Sequence, residues 1–445
     1  MSLEVRVVPN RYVDSVRLMQ VATDVRGRDG VRSCEVLMGT PANLRQLDVS
    51  VTAGPTDVVI AVDADAAGEA LDAAERALST SPEGRGQPAP EPRSLASAAR
   101  ALDDVNVALI SVPGEYAVLE AHRALSEGLH VFLFSDHVST ADEVALKGRG
   151  VAHGLLVMGP ECGTAMLGGV GLGFANVLRS GPVGIVAAAG TGAQEAGVLL
   201  DREAVGVSQI VGLGGRDLSA EVGGIMCRLA MELLADDEGT ETLLLVSKPP
   251  APEVVRELAD VDVGGKRVVA AFVGWDSGAA PFEVHSTLEA GALAAGGAST
   301  AGDPEAPAGE GPVLGLFSGG SLAHEAQTIL GPGHRILDLG DERYTQGRPH
   351  PMVDLDVRLG LLREEGPAAG CVLLDVVIGH GSHADPAGAL AGTLADLACP
   401  VIAHVCGTPD DPQDSRRQEA TLREAGVHVA PTNAAAARMA ARVAA

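Results

Sequence analysis

Short uninterrupted apolar runs alternate along the chain with longer stretches in which apolar residues recur at helical spacing. The runs predict buried strands, and the longer stretches predict amphipathic helices. At the start, "LEVRVVP" leads into a helix-like stretch from Val13 to about Val25, then "VRSCEVLMGT", then "DVVIAVDA" and "AAGEALDAAERAL". That order reads β-α-β and then β-α. Further on, "VNVALISVP" (105–113) reads as a strand and "EYAVLEAHRALSEG" (115–128) as a helix stopped by glycine, with "HVFLFS" the next strand. Ser139 is expected to cap the helix of "STADEVALKGRGVAHG", with Asp142 three residues on. "LLVMGPECGTAM" reads as a strand and a Gly-Pro turn, and "GPVGIVAAAGTGAQEAGVLL" as a strand and a helix. "VSQIVGLGG" precedes a helix expected from about Ala220 to Ala235, and "ETLLLVSKPP" and "RVVAAFVGWD" are strands. The last third repeats the alternation with "GPVLGLFSGGSLAHEAQTIL", "GCVLLDVVIGHG", "CPVIAHVCG" and two closing helices.

Two stretches rich in Pro, Gly, Ser and Glu read as linkers, "SPEGRGQPAPEPRS" (81–94) and "GGASTAGDPEAPAGEGP" (296–312). The expected class is α/β, with several doubly wound, mainly parallel sheets. In such folds ligands sit beyond the carboxyl ends of strands, where the Gly-rich turns fall here.

Charge narrows the function. The formal net charge is −27 over 445 residues, with no basic cluster, which argues against nucleic acid. No apolar run is long enough to span a membrane and no signal-peptide core precedes the first strand, so the expected location is cytoplasmic, away from membrane. Lysine occurs only at Lys147, Lys248 and Lys266, so a bound anion must rely on backbone N–H groups or single arginines. The six cysteines form no Cys-x-x-Cys pair and read as free buried thiols.

In "AAAGTGAQE" Thr191 is placed as an N-cap with Gln194 completing a capping box, while Gly190 and Gly192 allow close backbone approach. A helix start of this kind suits a phosphate or carboxylate. "MGPECGTAM" (158–166), "GLGGRD" (212–217) and "FSGGSLAHE" (317–325) add Gly214, Gly215, Gly319, Gly320 and Ser321 as anion-binding candidates, and Glu161, Cys162 and Gly163 as ligand contacts. Cys162 at a helix start would have a lowered pKa, against the plainer reading of a packed thiol. "GGVGLG" (168–173) follows no strand in this reading, and a P-loop is absent. "GRPHPMVD" (347–354) offers Arg348, His350 and Asp354 as a catalytic set, with Asp338 and Asp341 upstream to bind a cation or orient an arginine. "GHGSHAD" (379–385), with His380 and His383, lacks a clean zinc ligand set, and no metal is expected.

The order "MGPECGTAMLGGVGLGFANVLRSGPVGIVAAAGTGAQE…VGLGGRDLS" resembles the α-chain of the succinyl-CoA synthetase superfamily. The whole chain is similar to the FdrA family of acyl-CoA-synthetase-like proteins, with "GRPHPMVD", "DLGD", "LLLDVVIG" and "ADPA" matching that family's last third. The alternation and the first linker set off an N-terminal α/β subdomain (1–80), and the resemblance implies a Rossmann-like CoA-binding-type domain (95–180) followed by two flavodoxin-like ligase-type domains (181–295 and 312–445). It implies that Gly190, Thr191 and Gly192 hold a phosphoryl group, with Gly214 and Gly215 nearby. Where synthetases carry a phosphorylated histidine, this chain reads "SGAAPFEVHSTLEAGALAAGG", with His285 near but out of register. The resemblance therefore implies a subunit for acyl or carbamoyl transfer to phosphate, as in oxamate carbamoyltransferase of allantoin breakdown. Phosphate or carbamoyl phosphate would be the substrate, Arg348 would grip a carboxylate and His350 would move a proton. A nucleotide-dependent acyl-CoA synthetase subunit using CoA and ATP, and a non-catalytic metabolite-binding scaffold, are the other readings. Partner subunits in a hetero-complex and a homo-oligomer are expected, with a small-molecule substrate.

Overall fold

The structure, a computed structural model, describes residues 3–11, 13, 15–44, 47, 51–79, 92–276, 280–300, 302, 304–346 and 348–444. Most of the first linker expected from sequence, through residue 91, lies outside them, as do residues 301 and 303 of the second. The chain divides into two compact units. One comprises Met1–Arg93 with Thr345–Asp354, and the other Ser94–Tyr344 with Leu355–Ala445.

The first unit runs β1 (Glu4–Val8), α1 (Ser15–Arg26), β2 (Val31–Met38), α2 (Pro41–Leu44), β3 (Val58–Ala64) and α3 (Ala67–Ser79), the order the apolar pattern predicts apart from the added short helix α2. Its sheet is antiparallel, in the order β1-β3-β2. The alternation of strands and helices suggested parallel pairing, but β3 inserts between β1 and β2 and runs against both. Alternate residues of β2 and β3 (Cys34, Val36, Val58, Ile60) pack under Leu18, Val21 and Val25 of α1 and Leu71 and Leu78 of α3.

The second unit opens with α4 (Leu95–Ala101), β4 (Val107–Ile110), α5 (Gly114–Ser126), β5 (His130–Leu133), α6 (Thr140–His153) and β6 (Val157–Met158). Its first sheet is parallel, β4-β5-β6. Ser139 caps α6 by accepting from the Asp142 N–H at 3.1 Å, as its sequence position predicts. Then follow β7 (Thr164–Leu167), β8 (Val170–Gly173), β9 (Ser180–Ala187), α7 (Gly190–Arg202), β10 (Val207–Gly212), α8 (Ile225–Asp236), β11 (Thr242–Ser247), α9 (Pro252–Glu257), β12 (Arg267–Phe272), β13 (Glu283–His285) and α10 (Leu288–Ala295). They build a seven-stranded sheet, β13-β12-β11-β9-β10-β7-β8, parallel except for the β7–β8 hairpin and its pairing with β10. Helix α8 starts later than its apolar pattern suggests, because Asp217 takes the Met226 and Cys227 N–H groups at 3.2 and 3.0 Å.

The third sheet of this unit is fully parallel, β15-β14-β16-β17-β18. It contains β14 (Val313–Phe317), α11 (Gly320–Leu330), β15 (Arg335–Asp338), α12 (Glu342–Thr345), α13 (Asp356–Glu365), β16 (Cys371–Val377), α14 (Pro386–Ala395), β17 (Val401–Cys406), α15 (Ser415–Glu424), β18 (His428–Ala430) and α16 (Asn433–Ala444). Every residue of β16 and β17 is buried, as expected for central strands covered on both faces. No helix among the described residues is long and apolar enough to cross a membrane.

Candidate functional site

Within the second unit the carboxyl ends of β9 and β14 each deliver the chain into a glycine turn and a helix. Helix α7 begins at Gly190 with Ala189 as its N-cap, and α11 begins at Gly320 with Gly319 as its N-cap. Neither start is capped by a side chain. This corrects the expected capping box at Thr191 and Gln194. The backbone stays extended only through Ala189 (φ −155), so Thr191 is already helical and Gln194 turns to Asn176 instead. The leading N–H groups of both helices thus remain open to an external acceptor.

The two starts touch. A Cβ placed on Gly319 would lie 2.7 Å from Thr191 Oγ1 and 2.8 Å from Thr191 Cβ and Cγ2. A Cβ on Gly320 would strike the Asp338 carboxylate at the end of β15 and lie 3.6 Å from Lys248 Nζ, which follows β11. Burial raises the Asp338 pKa above the ordinary carboxylate value, while the Gly340 N–H and the Lys248 charge pull the other way. Lys248 is one of the chain's three lysines. Lys147 is spent on Glu143, Asp217 and the Leu213 carbonyl, and Lys266 on the Leu234 and Asp237 carbonyls. Lys248 is exposed and makes no hydrogen bond or ion pair among the described residues. Ser321, in the first turn of α11, is buried.

The β14–α11 turn is fixed from beneath by Asp375 of β16. Its carboxylate accepts from the Ser318 N–H (2.8 and 3.0 Å), the Gly319 N–H (2.8 Å) and the Ser318 hydroxyl (3.0 Å). Arg358 of α13 closes the arrangement, donating to Asp375 Oδ1 at 2.7 Å and to its carbonyl at 2.6 Å, both residues being buried. Neither residue stands out in the sequence, because one is a single carboxylate inside an apolar strand and the other an arginine in a charged helix.

The Gly-Pro-Glu-Cys and Gly-Leu-Gly-Gly turns pack against each other next to α7. A Cβ on Gly212 would strike Cys162 Sγ and the Thr164 carbonyl, and one on Gly214 (φ +81) the Pro160 carbonyl. A Cβ on Gly190 would lie 3.5 Å from Thr164 Oγ1, which joins this layer to the start of α7. No helix follows Cys162. The chain enters β7 instead, and Gly168 and Gly169, both at positive φ, turn the β7–β8 hairpin. "GGVGLG" therefore does follow a strand, as a hairpin rather than a dinucleotide loop. Cys162 is buried and its thiol is pushed up to about 12 by that burial, which bears out the plainer packed-thiol reading over a lowered pKa at a helix start. Glu161 is exposed at φ +57 with its N–H on Ser135, and Gly163 accepts from the Phe174 N–H at 2.8 Å. Gly215 is exposed with open space above it.

The remaining candidates fall elsewhere. Arg348, His350 and Asp354 belong to the first unit, whereas the glycine turns belong to the second. There Asp354 pairs with Arg26 at 2.9 Å, His350 Nδ1 accepts from the Met352 N–H at 3.2 Å, and Arg348 is exposed. Asp341 accepts from the Arg343 N–H at 3.1 Å. His285 sits on β13, three strands from β9 and so about 14 Å across the sheet. Its Nε2 faces Glu283 Oε1 at 2.9 Å. His380 bridges to Ala175 through its backbone, and His383 Nδ1 accepts from the Asp385 N–H.

Behind the helix starts lies a buried acidic cluster. Glu195 of α7 faces His404 Nε2 at 2.7 Å, and Glu325 of α11 accepts from the Leu288 N–H at 2.6 Å and Asn433 Nδ2 at 2.7 Å. Burial, with Glu195 and Glu289 adding to it, raises Glu325 to about 7. Burial pushes Glu195 the same way, but His404, Arg202 and the Asn433 N–H outweigh it and leave Glu195 below the ordinary value.

A profile of the CoA-ligase family matches residues 316–443, and one described as AllF, heavy metal-associated domain, matches residues 1–92. Residues 1–92 hold no histidine and one cysteine, Cys34, which is buried with its thiol pushed up to about 11. No group of three or more metal-ligating side chains occurs among the described residues. The donor set does not fit a heavy metal. The uncharacterized protein YahF of Escherichia coli K12 is 34% identical over 97% of each chain. The succinate–CoA ligase [ADP-forming] subunit alpha of Methanothermobacter thermautotrophicus is 27% identical over 44% of this chain and 66% of its own. The dinucleotide-forming acetyl-coenzyme A synthetase 1 of Ca. Korarchaeum cryptofilum, in its apo form, aligns with a TM-score of 0.32 at 15% identity over 78% of this chain and 84% of its own. The full-length match to YahF and the CoA-ligase profile, together with the turns that carried the resemblance, place the chain in the FdrA-like family of acyl-CoA-synthetase-like proteins.

Proposed function

We propose that this chain is an acyl-CoA-ligase-like subunit that handles its acyl group as an acyl phosphate. The phosphoryl group is held between the starts of α7 and α11, at Gly190–Gly192 and Gly320–Leu322. The observation that carries the reading is the pair of touching helix starts, both without a side-chain cap, beside the unpaired Lys248 ammonium. Open N–H groups with aligned dipoles stabilise a phosphoryl dianion, and a lysine adds a point charge.

In the ligase direction a thiol sulfur attacks the acyl carbon and the C–O bond to phosphate breaks. The electron pair leaves on phosphate, and the thiol proton follows it. The helix starts and Lys248 neutralise the phosphate as it departs and hold it in line for the reverse attack. CoA and ATP are substrates here, not resident groups. The domains at 95–180, 181–295 and 312–445 would divide CoA-type binding from the two-helix phosphoryl chemistry, with partner subunits and self-association completing the enzyme.

A second reading is favoured by the AllF-type match at residues 1–92. Phosphate held at the same place attacks the ureido carbonyl of oxalurate, the C–N bond breaks, and the departing nitrogen takes a proton, giving oxamate and carbamoyl phosphate. Within the first unit, Arg348 and His350 are proposed as a pair able to grip a carboxylate and move a proton, with Asp354 holding their loop through Arg26. Alanine at either residue, assayed for turnover, tests their part separately.

Titration calorimetry of the full chain with inorganic phosphate and with acetyl phosphate tests the common core. Saturable binding of both, lost in Gly320→Ala, is the expected result, and no heat from either anion at millimolar concentration overturns it.

A further inference from the structure

Helices α7 and α11 are joined again, just behind their touching starts, by one residue of a third helix. Asn433, the first residue of α16, is 1% exposed. Its Nδ2 donates to the Leu322 carbonyl at 3.1 Å and to Glu325 Oε2 at 2.7 Å, both on α11. Its backbone N–H donates to Glu195 Oε1 on α7 at 3.2 Å. Leu322 lies in the first turn of α11. The bridge therefore reaches the helix start itself and not only the helix behind it.

The bridge is held from every side. A carbonyl and a carboxyl oxygen face the Asn433 amide, so its nitrogen end must point at them. Thr432 Oγ1 accepts from the Ala435 N–H at 3.0 Å, which keeps Asn433 at the first turn of α16. Thr432 also donates to Glu289 Oε1 at 3.0 Å, and Arg438 to Glu289 Oε2 at 2.8 Å, tying α16 to α10. On the far side Glu195 Oε2 faces His404 Nε2 at 2.7 Å. Glu325 Oε1 takes the Leu288 N–H at 2.6 Å, and a Cβ on Gly192 would lie 3.4 Å from Leu288 Cδ2. Leu288 thus makes a second link, between Glu325 of α11 and the first turn of α7. An aspartate at 433 offers no donor when ionised, and an alanine none from its side chain.

We propose that Asn433 is a positioning residue, setting the start of α7 against the start of α11 so that their leading N–H groups converge on one anion. This rests on the phosphoryl site proposed above and deepens it by naming what holds it in register. Asn433 acts on the anion only through Leu322, Glu325 and Glu195. A displacement of about 1 Å is enough to weaken a site of this kind many-fold.

Phosphate calorimetry and urea unfolding of the full chain, as wild type, Asn433→Ala and Asn433→Asp, separate positioning from support of the fold. Asn433→Ala keeps the backbone N–H on Glu195 and removes both amide bonds to α11. Its phosphate affinity is expected to fall at least about fivefold in protein that is still folded. Asn433→Asp matches the asparagine in size but sets a second carboxyl group against Glu325, and the two repel when both are ionised. Glu325 sits at about 7, which sets the window. The affinity of Asn433→Asp relative to wild type at the same pH is expected to be lowest at pH 8 and to recover at least about threefold by pH 5, where the pair shares a proton. Taking the ratio at each pH removes the titration of phosphate itself. A role confined to the fold predicts lowered stability with phosphate affinity within about twofold of wild type at every pH, and that result overturns the inference. Should Asn433→Ala not fold, the pH recovery of Asn433→Asp decides alone, its presence supporting the inference and its absence overturning it. A wild type that binds no phosphate removes the phosphoryl site, and this inference with it; a wild type that binds, with both variants equal to it, removes this inference alone.

Discussion

Gly319→Ala is the most direct perturbation of the paired helix starts. The backbone there is extended (φ −108, ψ 112), so alanine meets no conformational obstacle. The added methyl would lie 2.7–2.8 Å from three atoms, all of Thr191. Carbon atoms rest about 3.5–4.0 Å apart, so the two turns must separate by roughly 0.7–1.2 Å. Overpacking of that size costs about 1–3 kcal/mol. Thr191→Gly removes all three obstructing atoms, at a helix-propensity cost of about 0.3 kcal/mol. The double variant should therefore be more stable than the sum of the singles by at least about 1 kcal/mol, well outside the ~0.5 kcal/mol scatter of independent sites. Urea unfolding followed by circular dichroism gives the stability cycle, and phosphate calorimetry on the same four proteins gives the functional one. Phosphate affinity should fall at least about tenfold in Gly319→Ala and return in the double variant, because only there do the turns close again. Additive behaviour in both cycles would refute the claim that the starts touch through Thr191 and Gly319.

Asp375→Ala leaves the buried Arg358 guanidinium and the Ser318 and Gly319 N–H groups without their acceptor, and should cost about 3–5 kcal/mol in the same unfolding assay. Adding Arg358→Met should recover part of that loss, because it removes the orphaned charge. Lys248→Met should weaken phosphate binding by about tenfold while Lys266→Met leaves it unchanged, since the Lys266 ammonium is bound to two carbonyls. Glu325 sits at about 7 when folded, against an ordinary 4.5, so the folded chain keeps a proton that the unfolded chain has released across that window. Its stabilising contribution is full below about 4.5 and is lost as pH rises through about 7. Glu325→Gln should flatten the fall in stability measured between pH 5 and 8, and an unchanged slope would remove Glu325 as its source.

The strands and helices were legible because burial on both faces of a parallel strand demands an unbroken apolar run, as in "TLLLVS" and "CVLLDVV". The glycine turns were legible as turns, and their order carried the family resemblance. What lay hidden was decided by contacts between segments distant in the chain. Nothing local tells that Ala189 rather than Thr191 ends the extended backbone, because both choices leave a glycine free to begin the helix. Cys162 was read toward a helix that the Gly168–Gly169 hairpin replaces. The parts played by Asp375, Arg358 and Asn433 follow only from what faces them across two sheets. Lys248 was visible as one of three lysines, but its freedom became apparent only once the other two were seen to be bonded.

Residues 345–354 complete a unit whose other members end at Arg93. During synthesis, domains tend to fold as they emerge from the ribosome. Here the three-stranded sheet of the first unit leaves the ribosome long before Asp354 exists to meet Arg26. That unit must wait, with α1 short of its partner, while most of the second unit is translated. An N-terminal fragment cut at the first linker would stay in that waiting state, and supplying a peptide of residues 345–354 is the natural way to release it.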